Sequence, residues 1–355
     1  MQRPVSSLSL SPSVKVKLVN AGFQFSSDLL QLKPLQLSKE AGLSQQEALE
    51  VLQAVRRDTG GGDEATGGGG ASLTALELLQ KEEETRSIIT FSSQLDGVLG
   101  GGMPIGKTTE ICGAPGVGKT QLCLQVAVDV QVPTCFGGVG GQVVYVDTEG
   151  SFLLQRVVDI ATAAVQHCSL LVEDDEQQAA MATFTLETIL SNLFLVRCHD
   201  YVELLAELHL LPDFLSDHPK VRLLVIDSVA FPFRQHVGDL SQRTRLLNGL
   251  AQQLITMATA HNIAVVMTNQ MTTRVRAGQS QLVPALGESW GHAPTIRILL
   301  HWAGSRRLAD IFKSPHHMGA TVQYQITSDG FRDVEQSEQP PSKRSRTEII
   351  QSADS

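Results

Sequence analysis

The sequence has no CxxC pair, no His/Cys cluster with zinc-ligand spacing and no excess of positive charge. Its five cysteines are scattered over 355 residues, which predicts a reducing compartment in which the thiols are small buried hydrophobes. The formal net charge is −9, so any contact with nucleic acid must come from local basic patches.

Long apolar runs are also missing. None reaches the length that spans a bilayer, and the first residues lack the apolar stretch of a secretory signal. They are Ser-rich and reach no acid before Asp28, which resembles a mitochondrial presequence; we interpret them instead as the start of a folded domain. The hydrophobic content of 42% suffices for one large α/β domain and a small one.

Composition divides the chain into four predicted parts. Residues 1–58 hold short amphipathic stretches that end at glycines, which predicts a small helix-hairpin-helix-like domain. Such helices can offer backbone N–H groups to DNA phosphates or can simply pack together, and both interpretations stay open. Residues 59–87 begin with the flexible linker TGGGDEATGGGGAS. Residues 335–355 are polar and predicted to be disordered.

The third part, residues 88–334, carries the fold class. Apolar strands alternate with helical segments, which is typical of an α/β protein with a mostly parallel sheet and helices on both faces. The predicted strands are TTEICGA, QVVYVDTE, NLFLVRC, VRLLVIDS, IAVVMTNQ, TIRILLHW, ADIFKS and ATVQYQI.

A phosphate-binding loop joins the first of these strands to a helix. The pattern GxxxxGK[ST] lets successive backbone N–H groups point at phosphates, while Lys119 reaches the β- and γ-phosphates and Thr120 offers a hydroxyl to Mg²⁺. The chain is therefore expected to bind ATP with Mg²⁺. The predicted nucleotide contacts in the loop are Gly113, Ala114, Pro115, Gly116, Val117, Gly118, Lys119, Thr120 and Gln121.

Three polar residues end neighbouring strands and are predicted to face the nucleotide. Asp227, after LLVI, can hold Mg²⁺ through water, although an Asp there can also cap a helix. Glu149, after YVDT, can orient an attacking water, or it can be a solvated acid in a turn. Gln270, after VVMTN, can sense the γ-phosphate.

Two segments after these strands carry arginines. MTTRVRAGQSQLVPALGESWGH has no hydrophobic period, so we expect it to be functional or disordered. FRQHVGD is a second irregular loop, followed by two further arginines. Together the loops suggest a groove for single-stranded DNA, or else solvated arginines on mobile loops. The cluster PSKRSR fits a nuclear-localisation signal or a chance run in a polar tail, and its basic residues are Lys343, Arg344 and Arg346.

Together GAPGVGKT, YVDTEGSF, LLVIDS and MTNQM resemble, in this order, the RecA/RadA recombinases. The helical first part resembles the archaeal and eukaryotic branch of that family. LLPDFLS, LNGLAQQ and LVPALGESWGHA are similar to its C-type eukaryotic paralogues. The resemblance covers nearly the whole chain except the glycine linker and the tail.

The resemblance implies a RecA-type core with ATP at a subunit interface. It assigns Arg156 to the adenine and His292 to a neighbouring subunit's nucleotide. Lys119, Thr120 and Asp227 would hold ATP with Mg²⁺, Glu149 would position water and Gln270 would sense the γ-phosphate. The DNA-binding positions implied are Arg234 and Arg243 at the first loop and Arg274 and Arg276 in the second.

Three departures from the family pattern argue against a strand-exchange enzyme that assembles with copies of itself. The run SLTALE has Ser72 where the recombinases insert a Phe into the next subunit, and a lost aromatic anchor weakens an interface strongly. The first loop is short and lacks an arginine, and the second loop has no lysine.

We therefore expect a nuclear, DNA-stimulated accessory ATPase of recombination repair, present also in cytoplasm or mitochondrion. Its expected partners are sister paralogues, the recombinase and single-stranded or branched DNA, and no membrane. A nucleotide-bound scaffold without a DNA role and a RecA-fold helicase are the alternatives.

Overall fold

The structure is a computed structural model. It describes residues 4–5, 8, 10–29, 32–59, 74–77, 79, 86–233, 240–276, 279–315 and 319–334. The predicted glycine linker, Arg234 and the tail with its basic cluster lie outside these residues. The chain divides into two compact units, Met1–Ala71 and Ser72–Ser355.

The first unit consists of short helices. They are α1 (Pro12–Asn20), a 3₁₀ turn (Ser26–Leu29), α2 (Pro34–Ala41) and α3 (Gln45–Thr59). Gly42 ends α2 in the left-handed conformation at φ 61°, which glycine adopts without a steric penalty. The helices enclose their own apolar core, which includes Val14, Leu18, Leu37, Val51 and Val55.

The second unit is built on a sheet that has nine strands within the described residues. Its order is β11-β10-β9-β8-β1-β5-β4-β2-β3. The strands on the parallel side are β1 (Thr108–Gly113), β2 (Gln142–Asp147), β3 (Leu193–Arg197), β4 (Val221–Asp227), β5 (Ala264–Asn269) and β8 (Ile296–Ala303). The antiparallel strands β9 (Arg306–Lys313), β10 (Ala320–Thr327) and β11 (Gly330–Asp333) extend one side.

Helices pack on both faces of this sheet and form two separate apolar cores. They are α4 (Ser93–Leu99), α5 (Lys119–Asp129), α6 (Leu154–Leu170), α7 (Asp175–Met181), α8 (Leu186–Ser191), α9 (Tyr201–Asp217), α10 (Leu240–Ala260) and α11 (Glu288–Gly291), with a 3₁₀ turn at Thr134–Phe136. The predicted fold class, a mostly parallel sheet covered by helices, is confirmed. No helix among the described residues combines the length and apolarity needed to cross a membrane.

The parallel strands bring their carboxyl ends to one edge of the sheet. In the pairing of β2 with β4, Asp147 lies opposite Asp227, and in that of β1 with β5, Cys112 lies opposite Asn269. The residues that follow these strands therefore meet at the same edge. This register places the predicted site residues in one neighbourhood.

The arginine-bearing segment after β5 is more regular than its sequence predicts. It forms an antiparallel hairpin of β6 (Met271–Arg276) and β7 (Gln279–Pro284), which pair only with each other among the described strands. Of the two expectations for this segment, functional or disordered, the second is therefore wrong for residues 271–276 and 279–284, and a functional role stays a prediction. β-Branched residues such as Thr272, Thr273 and Val275 favour the extended backbone without supplying an apolar face that a pattern search would detect.

Candidate nucleotide-binding site

The phosphate loop connects β1 to α5 and is shaped by glycines. Gly116 and Gly118 have φ of 77° and 112°, a conformation that side chains with a Cβ rarely adopt. A Cβ on Gly113 would lie 2.6 Å from the carbonyl oxygen of Leu300. The loop thus wraps closely at the N-terminus of α5, where unpaired backbone N–H groups attract anions.

Lys119 begins α5 and folds over the loop. Its Nζ donates to the carbonyl oxygens of Gly113 at 2.9 Å and Ala114 at 3.2 Å. Burial lowers the pKa of Lys119, while the carboxylates of Asp227 and Glu149 oppose that shift. The ammonium group is therefore held inside the cradle by weak acceptors that a phosphate can replace.

Asp227, at the end of β4, is 2% exposed and surrounded by hydroxyl groups. Its Oδ2 accepts hydrogen bonds from Thr120 Oγ1 at 2.7 Å and Tyr145 Oη at 3.0 Å, and its Oδ1 accepts one from Thr268. Burial raises the pKa of Asp227, and the hydroxyl donors partly offset that rise. The loop threonine and the strand-end aspartate, both predicted as Mg²⁺ residues, are thus in direct contact.

Glu149 stands in a tight turn that Asp147 organises. The carboxylate of Asp147 accepts hydrogen bonds from the backbone N–H groups of Gly150, Ser151 and Phe152. Because these bonds fix the turn, the exposed side chain of Glu149 is carried on a defined backbone. Asp147 therefore serves the turn and leaves Glu149 as the acid that faces the edge of the sheet.

Glu149 accepts hydrogen bonds from residues that follow two other strands. Ser228 Oγ donates to its Oε1 at 2.5 Å, and Gln270 Nε2 donates to the same oxygen at 2.6 Å. Ser228 directly follows Asp227, and the peptide bond between them is cis. Glu149 and Gln270, which were predicted separately, thus meet, together with Ser228, the residue that follows Asp227.

A cleft of about 430 Å³ opens beside the loop. Arg156 of α6 crosses it, donating to Gln121 Oε1 at 2.7 Å, to the carbonyl of Thr327 at 2.7 Å and to the carbonyl of Ser328. The resemblance assigns Arg156 to the adenine, and the arginine does line this cleft with Gln121, Thr327, Gly116, Gly118, Lys119, Thr120, Arg307 and Ile326.

A buried acid that sequence analysis missed lies under the site. Glu110, in the middle of β1, is fully buried and accepts from Asn269 Nδ2 at 2.7 Å, Trp290 Nε1 at 2.8 Å and Arg297 Nε. Asn269 also donates to the carbonyl of Ala285 at 2.9 Å, at the end of the hairpin. Glu110 stands between Thr109 and Ile111 in a predicted strand, and no local pattern indicates its burial or its partners.

The candidate DNA-binding arginines within the described residues lie on two different elements, β6 and α10. Arg274 lies on β6 and forms an ion pair with Glu288 of α11 at 2.5 Å. Arg276 ends the same strand, and Arg243 is half-buried near the start of α10, where its Nε has no partner in the described part of the chain. Exposed His292 follows α11.

The arrangement offers backbone N–H groups and an ammonium group to a polyphosphate, and oxygen ligands to a metal ion. No cluster of three or more His, Cys, Asp or Glu side chains suited to a metal occurs in the described ranges. A hydroxyl and one carboxylate nevertheless suit Mg²⁺, which keeps several waters and takes its remaining ligands from substrate phosphates. The pair Thr120–Asp227 fits that requirement.

Comparison with known proteins agrees with this geometry. The family model "Rad51" matches residues 81–334. The chain is 57% identical over 344 residues to DNA repair protein RAD51 homolog 3 of Cricetulus griseus, covering 94% of this chain and 93% of that protein. It is 40% identical over 272 residues to the protein of the same name from Dictyostelium discoideum, covering 76% and 71%.

An archaeal protein is also similar. DNA repair and recombination protein RadA of Metallosphaera sedula is 31% identical over 325 residues, covering 90% of this chain and 92% of that protein. The predicted resemblance to the recombinases and their paralogues is thereby confirmed. With its nucleotide-binding loop and this similarity over most of its length, the chain belongs to the Rad51 family of phosphate-loop ATPases.

Proposed function

We propose that the chain binds ATP with Mg²⁺ at residues 113–121 and works as a slow, DNA-stimulated accessory ATPase in homologous recombination repair. A function in DNA repair is itself confirmed by the similarity to named repair proteins. The finer assignment rests chiefly on one observation: Thr120 contacts Asp227 at 2.7 Å beside a lysine held in a glycine cradle.

Binding follows from the chain's own groups. The N–H groups of the loop and the ammonium of Lys119 would hold the phosphates, and Arg156 would line the base end of the cleft. Thr120 and Asp227 would hold Mg²⁺, which when bound neutralises charge on the phosphates. Asp227 can serve in this way because it is fixed by Tyr145 and Thr268.

Hydrolysis is assigned to Glu149. Ser228 and Gln270 both donate to its Oε1, so an attacking water at the open edge of the sheet would donate its hydrogen bond, and then its proton, to Oε2. The two donors also fix the carboxylate's orientation, which general-base catalysis requires. Glu149, Lys119 and Gln270 are therefore the proposed catalytic residues.

Gln270 joins the nucleotide edge to the hairpin. Its side chain donates to Glu149, while its backbone carbonyl accepts from the N–H of Ala285 at 2.8 Å, where the hairpin closes. A change at the γ-phosphate that moves the Gln270 side chain would therefore move the base of β6 and β7.

Two features of the hairpin support a proposed contact with single-stranded DNA. Val275 and Leu282 are 69% and 56% exposed, and the pairing register places both on one face. Arg274 lies on the opposite face, across from Gln281. Exposed apolar groups suit unstacked bases, and arginine suits phosphates. We therefore propose that this hairpin binds single-stranded or branched DNA, with Arg234 and Arg243 bordering a second contact.

An accessory role is supported by the sequence at the self-assembly segment. Ser72 stands where the recombinases carry a buried aromatic anchor. We propose that the chain works in a hetero-oligomer with sister paralogues and assists the recombinase, with His292 approaching a neighbour's nucleotide.

The domain boundaries 1–58, 59–87, 88–334 and 335–355 stay predictions. Nuclear import through Lys343, Arg344 and Arg346 also stays a prediction.

Equilibrium ATP binding and ATP turnover of the full-length chain, alone and with single-stranded DNA, test the proposal. Lys119→Ala is expected to abolish Mg-dependent ATP binding, while Lys220→Ala, which removes an exposed lysine elsewhere, is expected to leave it unchanged. Wild-type ATP affinity in Lys119→Ala would contradict the proposal. Retained ATP binding without measurable DNA affinity would instead favour the nucleotide-bound scaffold.

A further inference from the structure

Trp302 and Arg307 form a stacked pair at the nucleotide edge. Trp302 lies near the end of β8 and Arg307 near the start of β9, directly opposite one another in the antiparallel register. The guanidinium carbon of Arg307 is 4.3 Å from the centroid of the Trp302 ring. Trp302 is 46% exposed. Such stacking fixes the plane of a guanidinium group.

Arg307 also faces the phosphate loop. It lines the cleft together with Gly118, Lys119 and Thr120. On its other side it pairs in register with Tyr324, whose hydroxyl donates to the carbonyl of Val117 within the loop at 2.7 Å. The arginine is thus attached to the loop through one strand and to the tryptophan through another.

The charge of Arg307 has no carboxylate partner in the described part of the chain. Its Nε is buried without a hydrogen-bond partner, and no carboxylate of the described residues lies within ion-pair distance of it. A buried donor without a hydrogen-bond partner is costly, and a bound ligand is one way to satisfy it. Arg156, which lines the same cleft, differs because it is bonded to protein acceptors.

We propose that Arg307, oriented by Trp302, binds a phosphate group of the nucleotide in this cleft. The assignment rests on the proposed function, because it requires the nucleotide to bind at residues 113–121. A planar guanidinium suits the oxygens of a phosphate, to which it can donate two parallel hydrogen bonds. A DNA phosphate has the same chemistry, so the test must separate the two sources.

Calorimetric titration of full-length Arg307→Ala with ATP·Mg and with ADP is the test. Losing a hydrogen bond to a charged group is expected to weaken both affinities by about tenfold to a hundredfold. Arg307→Lys keeps the charge but not the planar fork, and is expected to recover part of the loss. Arg306→Ala removes the exposed neighbouring arginine, and wild-type affinity is expected for it.

Trp302 gives a second measurement that a purely structural role would not change. The sequence has two tryptophans, and the other, Trp290, is 2% exposed. Adding ADP should alter the tryptophan emission of the wild type, and Trp302→Phe should remove that change while retaining the fold by circular dichroism. A change that persists in Trp302→Phe would contradict the arrangement.

The outcomes separate the inference from the function on which it rests. Lost binding in Lys119→Ala with wild-type affinity in Arg307→Ala overturns the role of Arg307 and leaves the proposed function intact. Wild-type affinity in both variants contradicts the proposed function itself. If Arg307→Ala loses DNA affinity while binding ATP and ADP normally, the phosphate belongs to DNA, and the inference is wrong. Arg307→Lys serves the same comparison if Arg307→Ala does not fold.

Discussion

Gln270 donates a hydrogen bond of 2.6 Å from its side-chain amide to Oε1 of Glu149. The two residues follow different strands, and Glu149 is the acid best placed to meet a water at the nucleotide edge. Because the backbone of Gln270 also closes the hairpin that carries Arg274, this contact connects the proposed hydrolytic residue with the proposed DNA surface.

Replacing the proposed base should separate binding from hydrolysis. Glu149→Gln keeps the size and the hydrogen-bonding shape of the side chain but cannot take a proton from water. We expect ATP affinity within about threefold of the wild type and a hydrolysis rate lower by about a hundredfold to ten-thousandfold. Single-turnover phosphate release measures the rate. An unchanged rate would remove Glu149 from catalysis.

Freeing Arg274 should strengthen DNA binding. Arg274 is held by Glu288 at 2.5 Å, and both side chains are substantially exposed. Glu288→Gln removes the competing carboxylate, so we expect tighter binding of single-stranded DNA at low salt. Arg274→Gln should lower the salt slope of binding by about one unit. Salt titrations by fluorescence anisotropy measure both effects, and equal slopes for wild type and Arg274→Gln would exclude the hairpin as a phosphate contact.

The buried acid beneath the site should matter for stability. Glu110→Ala leaves the guanidinium of Arg297 and the amide of Asn269 without their carboxylate partner. Removing one member of a buried ion pair costs about 3–5 kcal/mol. Denaturant unfolding measures this loss, with the exposed Glu176→Ala as the control, for which we expect a change within about 0.5 kcal/mol. Equal midpoints for the two variants would contradict the role of Glu110.

Asp96 should make stability depend on pH. Burial, with a smaller contribution from Asp333, raises the pKa of Asp96 to about 6, although hydrogen bonds from Thr90 lower it. The folded state then binds the proton more tightly than the unfolded state, so this contribution to stability is lost as the pH rises through about 6. Asp96→Asn cannot titrate. Its melting temperature relative to the wild type should increase between pH 4.5 and pH 7.5, and a constant difference would contradict this.

Much of the fold follows from local sequence. Runs such as VVYVD and LLVID are apolar enough to be strands buried on both faces, and the glycines of the loop mark the turn into α5. The hairpin after β5 was not predictable in the same way. Val275 and Leu282 remain exposed on it, so no buried face imposes a pattern on its sequence. The four-residue strand β11 is too short to give a periodic signal.

The residues of the site likewise divide into those that local sequence predicts and those that it does not. Parallel strands end at one edge, so residues directly after apolar runs could be assigned to one place, as with Asp227 and Glu149. The role of Glu110 could not be predicted, because it depends on an ion pair with Arg297, which is 187 residues away in the chain. Trp302 lies close to Arg307 in the sequence, but the place of Arg307 beside the phosphate loop depends on Tyr324, which contacts Val117 from 207 residues away. Contacts between residues distant in sequence have no local pattern.

The coupling between nucleotide and DNA is tested most directly by DNA affinity in two nucleotide states. Single-stranded DNA binding to the full-length chain is measured with a non-hydrolysable ATP analogue and with ADP, for wild type, Gln270→Ala and the exposed-helix control Gln252→Ala. We expect an affinity ratio of about fivefold or more between the two states in the wild type and in Gln252→Ala. Gln270→Ala should bind both nucleotides yet show a ratio near one. A ratio in Gln270→Ala equal to that of the wild type would contradict the account.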